Sequence, residues 1–286
     1  MPHFNKISVL GLGAMGTGIA QICAQAGSAV VAYDAFPDAV RQVPKRIEKE
    51  LKRAVELGKI TSELAEETLE RIAFTTQIED CADSDLVIES VSEKLDLKIQ
   101  LFNQLDERCP PPAIFATDTS SLSLTAIAAK TRFPERVCGM HFFHPVTRTR
   151  IVEIISTQST DRSTIDSVKA YALELGKTPV LSKDSPGFIV HRLTHPFFGE
   201  ALRCLAEGVA DHTQIDEIFR ENGFTKGPFE LMDVVGIDAA YASAKSLWDA
   251  RYHDSRYRPH PIQKKMIEAG SLGKKSRRGF YEYSNE

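Results

Sequence analysis

Features that mark secreted, membrane-spanning or zinc-bound proteins are scarce in this chain. Its 286 residues include only five cysteines, and no two of these form a Cys-x-x-Cys pair. Neither a disulfide framework nor a thiolate zinc site is therefore expected. Apolar runs of about 18 residues are lacking, so no transmembrane helix is expected. Internal repeats and low-complexity tracts are lacking as well, which leaves an ordinary globular composition.

A large excess of charge is also missing. The net charge is −4, so we expect neither nucleic acid nor an anionic membrane surface as a partner. The first strand-like segment begins close to Met1, which leaves no room for a signal peptide. Together with the unpaired cysteines, this predicts a cytoplasmic location. The length is sufficient for two domains, each with its own core.

What the chain does contain is a glycine-rich turn near its N-terminus. A short apolar run leads into Gly11, Gly13 and Gly16, and a helical stretch follows. Gly11 permits a tight turn, Gly13 lets the backbone approach a pyrophosphate, and Gly16 lets the helix pack closely on the strand. The helix N-terminus presents N–H groups and a positive dipole end to the phosphates. The second strand ends at Asp34, which can bind the ribose hydroxyls and would repel the 2′-phosphate of NADP, so the pattern predicts NAD as the cofactor.

The order of the elements predicts two domains. Strands and helices alternate up to about residue 183, which indicates a doubly wound, mostly parallel sheet. From Asp184-Ser-Pro-Gly onward only helical periodicities follow, and the first helix is expected to begin at Ser185 and Pro186. We predict an α/β protein with an NAD-binding Rossmann domain over 1–184 and an all-α substrate and dimerisation domain over 185–286. The substrate is expected in the crevice between them.

The helix after Asp34 has a strongly basic face. Its cations are Lys45, Arg46, Lys49, Lys52 and Arg53. We interpret them as a solvated helix face, with a patch that binds an anionic ligand as the alternative.

Polar groups follow three strands at the edge where this fold binds ligands. They are Glu89, the segment 118–121, and the pair His141 and His144. Oxidising an alcohol needs a base for the hydroxyl proton, and histidine suits that near neutral pH. It also needs a carboxylate to orient the imidazole, and Glu153 in the next strand can pair with His141 if the strands adjoin. The alternatives are a core histidine at 141 and a turn serine at 120.

Eight motifs, in order, resemble the L-3-hydroxyacyl-CoA dehydrogenase family. They are Gly11-x-Gly-x-x-Gly16, Val87-Ile-Glu89, Thr119-Ser-Ser-Leu-Ser, His141-Phe-Phe, Val152-Glu153, Asp184-Ser-Pro-Gly-Phe-Ile-Val, Gly227-Pro-Phe-Glu-Leu-Met-Asp and Gly279-Phe-Tyr. The resemblance runs essentially end to end. It implies NAD-dependent interconversion of an L-3-hydroxyacyl thioester and its 3-oxo form, by a homodimer joined through the helical domain.

The resemblance also implies roles for individual residues. His141 is similar to the family's catalytic base, Glu153 to its partner carboxylate, and Ser120 to the serine that binds the reacting oxygen. The expected catalytic group is His141, Glu153, Ser120 and His191. The expected cofactor contacts are Gly11, Gly13, Met15, Gly16, Asp34, Glu89, Lys94, Ser120 and His144. The expected substrate contacts are Ser120, Arg148 and His191.

The chain departs from the family pattern in the half that faces the acyl group. His144, His191 and Asp118 stand where the family has asparagines, of which the first contacts the nicotinamide side and the second the substrate carbonyl. Arg148 and Thr149 replace apolar residues, and an arginine near the reacting end could pair with a carboxylate on a polar substrate.

Further departures leave the substrate open. Glu50 and Leu57 replace a serine and a lysine that the family presents to CoA. We therefore expect a short or polar acyl group. A carrier-protein thioester and a free hydroxy acid such as gulonate or carnitine are the alternatives within the class. A cofactor-binding protein that has lost catalysis is the alternative outside it.

Several histidines raise the question of a metal. His191 and His195 share a helix face at an i, i+4 spacing. No acidic residue completes a recognised signature with them, and the resembling family uses no metal, so none is expected.

Overall fold

The structure is a computed structural model that describes residues 4–284. The chain divides into two compact units, Met1–Ser185 and Pro186–Glu286. The first is an α/β unit and the second is helical, so the predicted fold class is confirmed.

The first unit is built on one eight-stranded sheet. Its strands are β1 (Lys6–Leu10), β2 (Ala29–Tyr33), β3 (Ile72–Thr75), β4 (Leu86–Glu89), β5 (Ile114–Thr117), β6 (Val137–Phe142), β7 (Ile151–Ser156) and β8 (Thr178–Lys183). They lie in the order β3-β2-β1-β4-β5-β6-β7-β8. Neighbouring strands are parallel except for the antiparallel pair β6 and β7. The carboxyl ends of β1, β2, β4, β5 and β6 therefore share one edge.

Helices cover both faces of this sheet. They are α1 (Ala14–Gln25), α2 (Pro37–Glu56), α3 (Ser62–Glu70), α4 (Leu95–Asp106), α5 (Leu124–Ala128) and α6 (Arg162–Glu174). Successive residues of β4 illustrate the two-sided burial, since Leu86 and Ile88 join the apolar cluster under α1, α2 and α6 while Val87 joins the cluster under α4 and α5. This near-continuous apolar character is typical of parallel strands buried on both faces.

The second unit consists of packed helices. They are α7 (Val190–Ala206), α8 (His212–Glu221), α9 (Pro228–Val235), α10 (Ile237–Ala250) and α11 (Pro261–Glu268). Phe198, Leu202, Phe229 and Met232 form its core. Asp211 caps α8 with its side chain.

The predicted start of α7 is wrong by several residues. Gly187 and Phe188 adopt φ values of 80° and 44°, which lie in the left-handed region and cannot continue a right-handed helix. The helix therefore begins at Val190 rather than at Pro186. Among residues 4–284, every helix falls short of the length and apolarity needed to cross a bilayer.

Candidate active site

The glycine turn between β1 and α1 depends on close backbone contacts. Gly11 has φ +91°, and a Cβ built on it would lie 2.6 Å from the carbonyl oxygen of Ser90. A Cβ on Gly16 would lie 1.8 Å from the carbonyl oxygen of Gly11. Gly13, the N-cap of α1, is exposed, and a Cβ on it would meet no described atom within 4 Å. Gly11 and Gly16 are thus required by the fold itself, while Gly13 keeps the helix start open to a ligand.

Asp34 is held at the end of β2 by backbone groups. Its carboxylate accepts hydrogen bonds from the N–H of Leu12 at 2.8 Å and from the N–H of Phe36 at 2.9 Å. The residue is half-buried, as is Met15 in the first turn of α1. The carboxylate is therefore oriented beside the glycine turn and keeps solvent access. Together with the open helix N-terminus, this arrangement fits a pyrophosphate and a ribose diol.

Next to the turn, a buried ion pair closes the end of β4. Lys98 on α4 contacts both carboxylate oxygens of Glu89, at 2.7 and 2.9 Å. The hydroxyl of Thr117 donates to the same carboxylate at 2.7 Å, and the N–H of Val91 donates at 2.7 Å. Glu89 is fully buried, so its carboxylate is committed to protein partners. Lys94 is exposed at the N-cap of α4, and the predicted cofactor contacts of Glu89 and Lys94 stay predictions.

Sequence reasoning missed Glu93 and Lys98. The carboxylate of Glu93 lies 3.3 Å from the Lys98 ammonium. It also accepts hydrogen bonds from the hydroxyls of Thr119 and Ser121 and from the N–H of Ser120. Burial alone would raise the pKa of Glu93, but the charge of Lys98 and these hydroxyls hold it below its ordinary value. This acid therefore orients the 119–121 segment, which contains the half-buried Ser120.

The histidine and the carboxylate predicted as a pair do meet. His141 on β6 stands opposite Glu153 on β7 in the antiparallel register. The Nδ1 atom of His141 lies 2.7 Å from Oε2 of Glu153, and both side chains are buried. Because an ionised carboxylate only accepts hydrogen bonds, it favours a proton on Nδ1 and a lone pair on Nε2. The ring also contacts Phe143, with centroids 4.4 Å apart.

Asp118 lies between this histidine and the glycine turn. Its carboxyl accepts the N–H of Phe142 at 2.8 Å and the hydroxyl of Ser90 at 3.0 Å. Burial raises the pKa of Asp118 to about 7, against the opposing effect of the nearby His141. His144 follows β6 and is exposed.

In the second unit, Ser243 joins His191 and His195, which the sequence put on one helix face; the contact with Ser243 was not predicted. The Nε2 atom of His195 lies 2.9 Å from the Ser243 hydroxyl, which lies 3.3 Å from Nδ1 of His191. The two imidazoles stack at 5.5 Å. Burial, with a smaller effect of His191, lowers the pKa of His195 to about 3, so this ring is neutral. Within residues 4–284 no group of three metal-ligating side chains occurs.

A basic pocket lies along α1 and α2 in the first unit. It has a volume of about 570 Å³. The cations that line it are Arg46, Lys49, Arg53, Lys59 and Arg148. Glu50 and Leu57 line the same pocket. Part of the basic face of α2 therefore borders a cavity, which favours the anion-binding alternative over a merely solvated face. Arg148 lies in this pocket with the cations of α2.

The fold and the strand-end groups together define a nicotinamide-dependent oxidoreductase. A model of the 3-hydroxyacyl-CoA dehydrogenase NAD binding domain matches residues 6–185. A model of the C-terminal domain of 3-hydroxyacyl-CoA dehydrogenase matches residues 187–283. The chain therefore belongs to the 3-hydroxyacyl-CoA dehydrogenase family, as its motifs predicted, and its cofactor is NAD.

Individual relatives agree with this assignment. A probable 3-hydroxybutyryl-CoA dehydrogenase of Bacillus subtilis is 41% identical over 285 residues, which cover 99% of each chain. The 3-hydroxyadipyl-CoA dehydrogenase of Escherichia coli is 40% identical over 287 residues, and this chain spans only 60% of that protein's length. The crystal structure of (S)-3-hydroxybutyryl-CoA dehydrogenase PaaH1 from Ralstonia eutropha has a TM-score of 0.92 at 37% identity, covering 99% of this chain and all of that one.

Proposed function

We propose that this chain interconverts an L-3-hydroxyacyl-CoA and its 3-oxo form with NAD, and that His141 is the general base. The observation that carries the proposal is the contact of 2.7 Å between His141 and Glu153. It lies at the carboxyl edge of the sheet, the edge to which the glycine turn and Asp34 also belong. A base and a nucleotide site at one edge are what alcohol oxidation requires.

The proton chemistry follows from the orientation of the imidazole. Glu153 holds the Nδ1–H, so the lone pair of Nε2 can take the proton of a substrate hydroxyl. The resulting imidazolium is stabilised by the Glu153 carboxylate, and in the reverse direction it returns the proton to the 3-oxo oxygen. When bound, NAD supplies the hydride acceptor. We assign Ser120 to hold the reacting oxygen, since its hydroxyl can donate a hydrogen bond. The resemblance gives His191 a contact with the substrate carbonyl.

The basic pocket supports CoA as the carrier of the acyl group. CoA carries several phosphates, and arginine and lysine side chains are the usual partners of phosphate. The cations around the pocket outnumber Glu50, the acid that lines it with them, so their number offsets the missing lysine at Leu57. A free hydroxy acid carries no phosphates that these cations could bind. Arg148 belongs to this carrier site in our proposal, with contact to a substrate carboxylate as the alternative.

The acyl group is proposed to be short or polar. Relatives are named for 3-hydroxybutyryl-CoA and for 3-hydroxyadipyl-CoA, which represent a short acyl chain and a chain that ends in a carboxylate. The polar side chain of His191, which the resemblance puts at the substrate carbonyl, supports such substrates over long apolar chains.

We also propose a homodimer formed through the helical unit. That unit exposes several large apolar side chains, among them Leu193, Val209, Ile218, Phe224 and Val235, which association with a second copy would remove from water. The five free cysteines support a reducing compartment such as the cytoplasm. Light scattering on the purified protein would test the dimer.

A substrate panel tests the proposed reaction. NADH formation is measured with 3-hydroxybutyryl-CoA, 3-hydroxyadipyl-CoA, a carrier-protein thioester, gulonate and carnitine, for the wild type and for His141→Ala. We expect turnover of the CoA thioesters and a loss of about 10²- to 10⁴-fold in His141→Ala. Turnover of the free hydroxy acids alone would overturn the carrier assignment. NAD binding without turnover of any substrate would indicate a protein that has lost catalysis.

A further inference from the structure

Asp118 ties together three neighbouring strand ends. It follows β5, and its own N–H donates to the carbonyl oxygen of Glu89 on β4 at 2.8 Å. One carboxylate oxygen accepts the N–H of Phe142 on β6 at 2.8 Å, and the other accepts the hydroxyl of Ser90 at 3.0 Å. A single side chain thus bridges β4 and β6 across the end of β5.

The two partners of Asp118 lead to the two halves of the site. Phe142 directly follows His141 in β6. Ser90 packs under the glycine turn, because its carbonyl oxygen would lie 2.6 Å from a Cβ on Gly11 and its own Cβ 3.6 Å from a Cβ on Gly16. The carboxyl of Asp118 therefore connects the strand of the proposed base to the turn that binds the nucleotide.

The charged groups around Asp118 favour its ionised form, and burial opposes them. His141 faces it from β6 and Lys98 from α4, and both favour the ionised carboxylate. At the end of β4, Glu89 is paired with Lys98. Glu93, which follows β4, also contacts Lys98 and accepts hydrogen bonds from Thr119 and Ser121. Burial outweighs these effects and brings the pKa of Asp118 to about 7. Both protonation states are therefore populated near neutral pH, whereas the asparagine that the family pattern has here would stay uncharged.

The two states differ in charge and in hydrogen bonding. The carboxylate accepts from both Phe142 and Ser90 and adds a negative charge near His141. The neutral acid has one O–H, which it can donate to the Ser90 hydroxyl, and Ser90 must then direct its own hydrogen elsewhere. Titration of Asp118 thus alters its hydrogen bond with Ser90, under the glycine turn, and the electrostatic potential at the strand edge.

We propose that Asp118 is a proton-linked positioning residue, whose charge sets the preference of the site for NAD⁺ over NADH. The inference rests on the proposed function for the place of the nicotinamide ring near His141. A carboxylate stabilises a nearby positive charge, and the nicotinamide ring is cationic in NAD⁺ and neutral in NADH. Raising the pH ionises Asp118 and therefore strengthens the binding of NAD⁺ relative to NADH.

Cofactor binding without turnover tests the proposal. The Kd values of NAD⁺ and NADH are measured by titration calorimetry from about pH 6 to about pH 8 on the full chain, for the wild type, Asp118→Asn and the control Asp166→Asn. Asp166 is an exposed acid on α6. We expect the ratio of Kd(NADH) to Kd(NAD⁺) to rise about three- to tenfold with pH in the wild type and in the control, and to stay flat in Asp118→Asn. A flat ratio in the wild type, or an unchanged slope in Asp118→Asn, would overturn the proposal.

A second readout follows the titration of the carboxyl itself and does not depend on the reaction. In protein with ¹³C-labelled aspartate carboxyls, one buried carboxyl signal should titrate near neutral pH and be missing in Asp118→Asn. Ser90→Ala removes a donor to the carboxylate and should move this titration to higher pH. An unmoved titration in Ser90→Ala would contradict the bridge described here. If His141→Ala retained dehydrogenase activity, the proposed base would fail while these binding and titration results would stand.

Discussion

The glycine turn and the ion pair next to it occupy the same edge of the sheet, but their polar groups differ in exposure to solvent. At the turn, Gly13 is exposed and Asp34 keeps solvent access. Beside it, Glu89 and Lys98 are buried and bonded to each other. The contrast separates groups that remain open to a ligand from groups that hold the strand ends in position. Removing the first kind should cost affinity, and removing the second should cost stability.

The largest effect is expected from Lys98→Ala. The substitution leaves the Glu89 carboxylate buried without its cation, which typically costs about 3–5 kcal/mol. Urea denaturation should record this loss, while Lys94→Ala, at an exposed position four residues earlier, should change the free energy of unfolding by less than about 0.5 kcal/mol. Equal effects of the two substitutions would remove the distinction between scaffold and ligand groups.

Gly13→Ala should show the opposite behaviour. Because a Cβ at this position meets no described atom within 4 Å, the fold should tolerate it, apart from about 1 kcal/mol or less. The methyl group would occupy the space over the helix N-terminus, so NAD affinity should fall by about tenfold or more. Calorimetry of NAD binding beside thermal unfolding checks both parts. Unchanged affinity would mean that the pyrophosphate does not approach this residue.

Asp118→Asn should stabilise the protein at high pH. The folded-state pKa of about 7 lies above the usual value of 3.8 for an aspartic acid, so the folded chain binds a proton more tightly than the unfolded chain does. That contribution is fully present below the unfolded pKa and is lost as the pH rises through about 7. Since Asp118 is only half-buried by surface area, we expect a gain of about 1–2 kcal/mol above neutral pH and little below about pH 5. Urea denaturation of the wild type and of Asp118→Asn across this pH range gives the two free energies of unfolding. A variant no more stable than the wild type above about pH 7 would contradict the prediction.

The smallest effect is expected from Arg148→Ala. Arg148 is exposed, and exposed ion pairs contribute about 0.2–1 kcal/mol, so KM for a CoA thioester should rise by no more than about fivefold. The rise should shrink at high salt, because screening weakens exposed pairs in the wild type. Lys130→Ala, an exposed cation after α5, serves as the control. An effect on a carboxylate-bearing acyl group but not on 3-hydroxybutyryl-CoA would move Arg148 from the carrier to the acyl group.

The parts of the site that could be predicted from the sequence are those whose residues lie close together in the chain. The glycine turn and Asp34 lie within one strand–helix–strand unit, so their spacing alone indicates their roles. The register of His141 with Glu153 could also be anticipated, because consecutive strands commonly adjoin. Lys98 could not, since it reaches the strand end from a helix whose packing depends on the whole sheet. The contact of His195 with Ser243, 48 residues apart, likewise requires α7 and α10 to be packed.

A double-mutant cycle tests the account most directly. We measure kcat/KM for 3-hydroxybutyryl-CoA oxidation in His141→Asn, in Glu153→Gln and in the double variant. Because Glu153 acts through His141, the double variant should lose no more activity than His141→Asn alone, about 10²- to 10⁴-fold. Fully additive losses, or a His141→Asn variant as active as the wild type, would contradict the proposal that these two residues form the proton-accepting pair.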